Sequence, residues 1–560
     1  MKYKIVKYVI IFGAIIAVCM EAITSTRPFC YNCQNMQRHV FKFQAVSSGT
    51  VIWNVADNMN QWDYNTWRNK MGNIPDDFFQ KNMPYVKYVQ LMTAAGGNEQ
   101  RDLFKNPLDR TVVDDYDFSP LIEACRNIVR QGLIPHLKLG NVPLKYSANP
   151  QIGHFGVNMR PPYDYNLWHT YIKAMIQSLI DEFGLETVRT WRFGSVTEYE
   201  NSDWFSVSDD DNTLNSAESR DAFFTLYDYT VDALEQMLGK DVCVGAHSMT
   251  VSEGLWDERE LIAHCARGVN RCTGKTGTRL CFLAASHYCD RPGQLGNQKT
   301  LSATIAFLRD AAEKEGLNNL FYGIDEGRIL YGNDGKDLFP RAVGYTWQAA
   351  FDARMYHTML DENIDYFSHW AYTANGILPG ALSVAAFTSD LFYRMAGAVR
   401  LPGTYETSNP EEKAGGIAAL NQKQNKLYAL FYVYSDSLAQ SGQVEISCEI
   451  TGLWKGTSKI KATRTMISDD SNFFDEYLSD RQAAGITPND FGWSGESFVI
   501  GSTELPNPEH LNIFQNKMPF YESCAMLKPQ QESLNVENGI LKICTTIPVH
   551  GVLLYEITIK

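Results

Sequence analysis

The sequence predicts an α/β protein: a (β/α)8 TIM barrel followed by a C-terminal antiparallel β-sandwich domain. Three observations carry that expectation. The chain has 560 residues, too many for one ordinary core and enough for a barrel of about 250 residues with a second unit beside it. From residue 50 to 372, short β-rich runs alternate with long helical patterns, as βα units closing on a parallel sheet do. After Pro402 the helical patterns give way to short strands punctuated by turns.

The elements follow in order. Residues 1–25 read as a signal peptide: the basic start Met-Lys-Tyr-Lys-Ile-Val-Lys leads into an apolar run from Tyr8 to Met20, too short for the roughly 20 residues that span a bilayer. Export is expected, to a secreted or periplasmic location, with lipid anchoring at Cys19 as the lesser alternative. Residues 26–45 form an N-terminal segment expected to join the sandwich, 46–401 the barrel and 402–560 the sandwich. The eight expected barrel strands are Val51–Asp57, Tyr88–Thr93, Leu133–Gly140, Val188–Val196, Val242–Met249, Cys281–Tyr288, Leu320–Asp325 and Tyr366–Tyr372. Between them lie amphipathic stretches at Leu121–Gln131, Leu167–Phe183, Ala217–Leu238, Leu301–Glu315 and Arg341–Leu360, the second stopping before Gly184 as a helix C-cap should. The sandwich strands are expected at Leu427–Tyr434, Val444–Ile450, Lys459–Met466, Ile540–Thr546 and Val552–Ile559.

Composition narrows the function. A formal net charge of −14 repels polyanions, so nucleic acid is not an expected partner and a neutral or weakly charged substrate is. No segment beyond the N-terminus is apolar enough to span a membrane. Of 12 cysteines, 11 lie beyond Cys19, and export makes disulfides permissible without fixing their connectivity. Gly274-Lys-Thr276 resembles the tail of a phosphate-binding loop, but the upstream Gly268 is one position too far and no strand leads into it. No tight His and acidic spacing occurs, so no metal or other cofactor is expected.

Reactive groups of a barrel sit where strands end at its C-terminal face. The fourth strand ends Trp191-Arg-Phe-Gly-Ser-Val-Thr197-Glu198-Tyr199-Glu200-Asn201, and the seventh Phe321-Tyr-Gly-Ile-Asp325-Glu326-Gly327. Cleaving a glycosidic bond needs a proton donor and a facing carboxylate, and two acids at such strand ends can meet that geometry. Glu198 and Glu326 lead. Glu200 is the alternative acid if register shifts, and Asp325 the alternative nucleophile, since alternation sends only one of two adjacent residues inward. His247 and His287-Tyr288 end the fifth and sixth strands; a core role for His247 is the bland alternative, while a Tyr288 hydroxyl would orient a carboxylate. His369-Trp370 ends the eighth, where Trp370 would stack on a sugar ring or simply pack the barrel. His136 and Lys138 alternate with Leu137 and Leu139, which puts both on one strand face and lets Lys138 pair with a barrel carboxylate or an acidic sugar.

Together these stretches resemble glycoside hydrolase family 39, which contains β-xylosidases and α-L-iduronidases. The resemblance rests on Gly132-Leu-Ile-Pro-His-Leu-Lys-Leu-Gly-Asn-Val-Pro143, Asp164-Tyr-Asn-Leu-Trp168, Trp191-x-Phe193 leading into Thr197-Glu198, and Arg464-Thr-Met-Ile-Ser-Asp-Asp-Ser-Asn472 with Gly485. It implies a retaining enzyme acting on an oligo- or polysaccharide, with Glu198 as acid/base and Glu326 as nucleophile. Substrate contacts would come from Thr197, His247, His287, Tyr288, Trp370 and Lys138. Glu198 should then carry the raised pKa and Glu326 stay ionised. Three positions depart from the family pattern: Thr197 replaces the usual Asn, Tyr199 the usual Pro, and Gly327 an aromatic residue. Those departures motivate the alternative of a catalytically impaired carbohydrate-binding protein on the same fold.

Overall fold

The structure, a computed structural model, describes residues 38–559 apart from 73, 209–215, 250–253, 289, 294–298, 328–343, 370–371, 375–378, 408–412, 488–489, 491–504 and 506. The expected signal segment with Cys19 therefore lies outside the described residues, as does Trp370. No described helix is long and apolar enough to cross a membrane.

Strand β1 (Arg38–Gln44) precedes the barrel, whose eight parallel strands are β2 (Asn58–Asp63), β3 (Tyr88–Thr93), β4 (Ile134–Lys138), β5 (Arg192–Gly194), β6 (Cys243–Ser248), β7 (Phe282–His287), β8 (Phe321–Gly327) and β9 (Tyr366–His369). They close in that order, β9 returning to β2 through the pairs Asn58–Ser368 and Met59–His369. Helices cover the outside. In Tyr165–Phe183, Asp164 accepts from the Asn166 N–H at 2.8 Å, Gly184 at φ +81° ends the helix, and Trp168, Ile172, Met175, Ile176 and Leu179 form its buried stripe.

Two strands differ from expectation. The first lies at Asn58–Asp63, not Val51–Asp57. Ile52, Val55 and Ala56 are buried in the segment leading up to it, whereas the strand itself is polar because Asn60 points into the barrel and donates to the Asp325 carbonyl. Hydrophobicity thus marked the approach rather than the strand. The fourth shrinks to Arg192–Gly194, since Leu185–Val188 continues as a helical turn.

The remaining strands are β10 (Val399–Arg400), β11 (Gly403–Thr407), β12 (Lys413–Asn421), β13 (Lys426–Tyr434), β14 (Gln443–Thr451), β15 (Ser458–Ile467), β16 (Gln530–Glu537), β17 (Ile540–Pro548) and β18 (Val552–Thr558). With β1 they form one mostly antiparallel sheet of ten strands, β10-β12-β13-β18-β15-β16-β17-β14-β1-β11. β1 lies parallel to β14 and antiparallel to β11. The sheet folds over itself into a sandwich, so Phe41 of β1 meets Phe431 of β13 with ring centroids 5.4 Å apart. Two helices, Phe474–Ala483 and Pro508–Cys524, interrupt this all-β expectation and join Phe474, Tyr477, Phe514 and Tyr521 to the barrel's apolar core.

Candidate active site

The backbone reaches Glu198 through a sharp turn. Glu198 sits at φ +44°, a left-handed conformation rare for a residue with a β-carbon and one that surrounding contacts must hold in place. The Asn201 N–H bonds the Glu198 carbonyl at 2.8 Å, and the Asn201 amide donates to Glu198 Oε2 at 2.9 Å. One residue thus fixes both the turn and the carboxylate.

On β8 the expected choice between Asp325 and Glu326 does not arise. Pairing with β7 slips between Ala285 and Ser286, so Ile324 faces Ala285, Glu326 faces Ser286 and Asp325 is skipped. Such a bulge breaks strict alternation, and both acids turn inward. Gly327 belongs to the same local geometry: a β-carbon there would lie 2.3 Å from the His287 carbonyl oxygen. Any residue with a β-carbon would therefore need this backbone to move.

The two inward acids do different things. Glu326 faces Glu198 across the barrel mouth, close enough for the charge of Glu198 to act on it. Ser286 Oγ donates to Glu326 Oε1 at 3.1 Å, and the Tyr288 hydroxyl bonds the same carboxyl. Asp325 lies deeper. It accepts from the buried Lys138 ammonium, which also bonds the Thr197 hydroxyl, and its Oδ1 is 2.6 Å from His247 Nδ1. His247 itself packs over Gly194, where a β-carbon would stand 2.6 Å from the ring.

Electrostatics separate the layers. Burial pushes the Glu198 carboxyl up, against hydrogen bonds from Asn201 and Ser286. Burial and the facing Glu198 charge push Glu326 up to about 8. The expectation that only Glu198 would be raised is corrected: burial raises both carboxyls, and the facing charge of Glu198 adds to the shift of Glu326, since two facing carboxyls cannot both ionise cheaply. Asp325 behaves oppositely. Burial would raise it, but His247 and Lys138 outweigh that and hold it well below the usual carboxylate range.

Other expected site residues fall elsewhere. Glu200 is fully buried behind the turn, accepting from the Met249 N–H at 2.5 Å beside Glu258 rather than facing Glu326. His287 alternates with Ser286 and Tyr288, so its ring turns to the outer layer, 3.4 Å from Thr304 Oγ1. Thr197, Lys138 and His247 lie beneath the carboxyl pair rather than at its mouth. Ser286 and Asn201 escaped sequence reading. Only the parity of Ser286 with Tyr288 hinted at the first, and the second needed the turn.

A closed parallel barrel thus carries two facing carboxyls at or just beyond the C-terminal ends of its fourth and seventh strands, the kind of pair that glycoside hydrolysis requires. Residues 99–373 match the model of Glycosyl hydrolases family 39, and this stretch of the chain is similar to that family. A β-xylosidase of Geobacillus stearothermophilus is 25% identical over 140 residues, 23% of this chain and 25% of that protein, so the chain spans about a quarter of that relative's length. Among solved structures, a bacterial orthologue of human α-L-iduronidase superposes with TM-score 0.62 at 12% identity, covering 94% of this chain and 84% of that one. The GH39 enzyme from Xanthomonas axonopodis pv. citri gives 0.62 at 14%, covering 95% and 99%. A monomeric β-xylosidase from Caulobacter crescentus CB15 gives 0.62 at 15%, covering 93% and 99%. At these identities the superpositions establish the shared fold.

Proposed function

We propose that the protein is a retaining glycosidase acting on an oligo- or polysaccharide, with Glu198 as acid/base and Glu326 as nucleophile. The observation that carries this reading is the close facing of the two carboxyls at the barrel mouth, near enough that the charge of one raises the other. Inverting enzymes hold their carboxyls about 6.5–9.5 Å apart to admit a water, whereas a retaining pair stands close, at about 5–5.5 Å.

In the free site the pair shares one proton. A bound substrate's glycosidic oxygen comes up to Glu198 and receives that proton as the bond to the anomeric carbon breaks. Glu326, with donors from Ser286 and Tyr288 to stabilise its negative charge, attacks the anomeric carbon. Glu198, now ionised, deprotonates the water that releases the sugar from Glu326. Lys138 compensates the Asp325 charge below, with His247 beside it, so no third uncompensated charge competes for the proton. The binding-only alternative is not favoured by the family match. Export through the N-terminal segment belongs to the same proposal, since a secreted or periplasmic location brings the protein to polymeric carbohydrate.

The test is a panel of nitrophenyl glycosides with Glu198→Gln and Glu326→Gln. Each change should lower kcat/KM at least about 100-fold, the lower end of general acid–base contributions. Product from the unaltered protein should keep the substrate's anomeric configuration by proton NMR. Inverted product, or activity surviving both substitutions, would remove these roles.

A further inference from the structure

A second cluster of reactive side chains sits on the barrel's outer wall, away from the carboxyl pair. His169 on the helix Tyr165–Phe183, Asp232 on the helix Ala217–Leu238 and Cys272 in the loop before β7 bring one nitrogen, one oxygen and one sulfur within 4.8 Å of one another. His169 Nε2 is 2.8 Å from Asp232 Oδ2, and Cys272 Sγ is 3.5 Å from the same oxygen. That loop joins the helix Arg259–Arg267 to the start of β7, so it belongs to the αβ connections at the end of the barrel opposite the catalytic strand ends.

We propose that His169, Asp232 and Cys272 form a binding site for a zinc-class divalent ion, with the fourth position left to water. Mixed nitrogen, thiolate and carboxylate donors suit zinc, whose bonds to them run at about 2.0–2.3 Å and so place tetrahedral ligand atoms roughly 3.3–3.6 Å apart. The observed separations need shifts on the order of an ångström to meet that. The three residues are partly exposed, His169 and Asp232 at 16% and 15%, which leaves a route for the ion and its water.

The surroundings are built to hold the ligands. Gln236 donates to Asp232 Oδ2 at 2.7 Å and is itself fixed by Lys173 Nζ at 2.8 Å. The Cys272 loop is anchored on the buried Asp228 carboxylate, which takes the Arg271 N–H at 2.8 Å, His264 Nε2 at 3.0 Å and the Thr278 hydroxyl at 2.5 Å. Asn270 bonds Thr278 and accepts the Cys272 N–H at 3.0 Å. Supporting hydrogen bonds of this kind orient metal ligands and tune their affinity. Binding forms the metal–sulfur bond and releases the thiol proton to solvent, while His169 exchanges its contact with Asp232 for the ion.

The test uses the full chain, stripped with a chelator and titrated with Co2+ and then Zn2+. One equivalent of Co2+ should give a thiolate-to-metal charge-transfer band in the near ultraviolet that Zn2+ abolishes. Cys272→Ser should lose the band and His169→Ala should weaken binding at least about tenfold. Gln236→Ala should weaken it by about 10- to 100-fold without altering the metal-free melting temperature. A missing band, or one that survives intact in Cys272→Ser, overturns the site. Turnover of glycosides is a separate readout, so failure here leaves the carboxyl assignments untouched.

Discussion

The barrel's interior and the sandwich's interior solve burial in opposite ways. The sandwich core is apolar: Phe41, Ile446, Ile450, Leu541, Ile543 and Leu553 meet between the folded halves of one sheet, each contributing about 1.5–3 kcal/mol by leaving water. The barrel axis instead stacks Arg192 on Tyr88 at 3.7 Å, then His136 and His247, then Lys138 with Asp325, then the two glutamates at the mouth. Buried ion pairs rarely outperform apolar packing in stability. A column of buried polar and charged side chains directly beneath one carboxyl pair is a structure shaped for charge control, while the sandwich is shaped for cohesion.

The largest expected effect tests that contrast at its centre. Lys138→Met leaves Asp325 with His247 alone and should lower unfolding free energy by about 3–5 kcal/mol, as breaking a buried pair does. Lys138→Met with Asp325→Leu removes both charges and should recover most of that loss in denaturant midpoint while activity stays low. Because His247 and Lys138 outweigh burial to hold Asp325 below its unfolded value, the pair's stabilisation is present above the ordinary carboxylate range and fades only as pH falls through Asp325's depressed value. If the double variant is no more stable than Lys138→Met, the charges are not what holds the barrel floor.

How far these features were legible follows the same division. The barrel's rhythm of strands and helices was readable because its helices are amphipathic and seven of its strands carry apolar or mixed runs. The first strand was not, since Asn58 and Asn60 face a polar interior and the buried Gln61 on the other face is polar too, which together defeat a hydrophobicity reading. Glu198 and Glu326 were legible as strand-end acids, but the Ala285–Ser286 slip that turns both Asp325 and Glu326 inward is a register event with no local signature. The two helices inside the sandwich segment hid for another reason: Pro508–Cys524 carries Pro519 within it, and its burial rests on Phe514 and Tyr521 alone. The outer cluster was invisible to spacing rules because 63 residues separate His169 from Asp232 and 40 separate Asp232 from Cys272.

A smaller effect sharpens the mouth of the barrel. Tyr288→Phe removes one donor to Glu326 and nothing from Glu198's turn. A hydrogen bond to a charged group is worth about 1.5–3 kcal/mol, so kcat should fall roughly 10- to 100-fold. The sign of the pH change is also set. Burial and the Glu198 charge raise Glu326, and the Tyr288 bond opposes them; without it Glu326 rises further, so the alkaline limb of the rate profile, where the pair loses its shared proton, should move to higher pH. A limb that stays in place or moves down would mean Tyr288 does not act on that carboxyl.

The smallest change belongs to the sandwich and asks whether the two interiors are independent. Ile446→Val deletes one methylene from a core that touches none of the barrel's charges, and should cost about 0.5–1.5 kcal/mol in denaturant unfolding. Sites that share no partner add their effects, so kcat/KM and both limbs of the pH profile should match those of the unaltered protein. A shifted limb would show that sandwich packing reaches the carboxyl pair, and the helices Phe474–Ala483 and Pro508–Cys524, which carry sandwich-segment residues into the barrel's core, would be the physical route for that coupling.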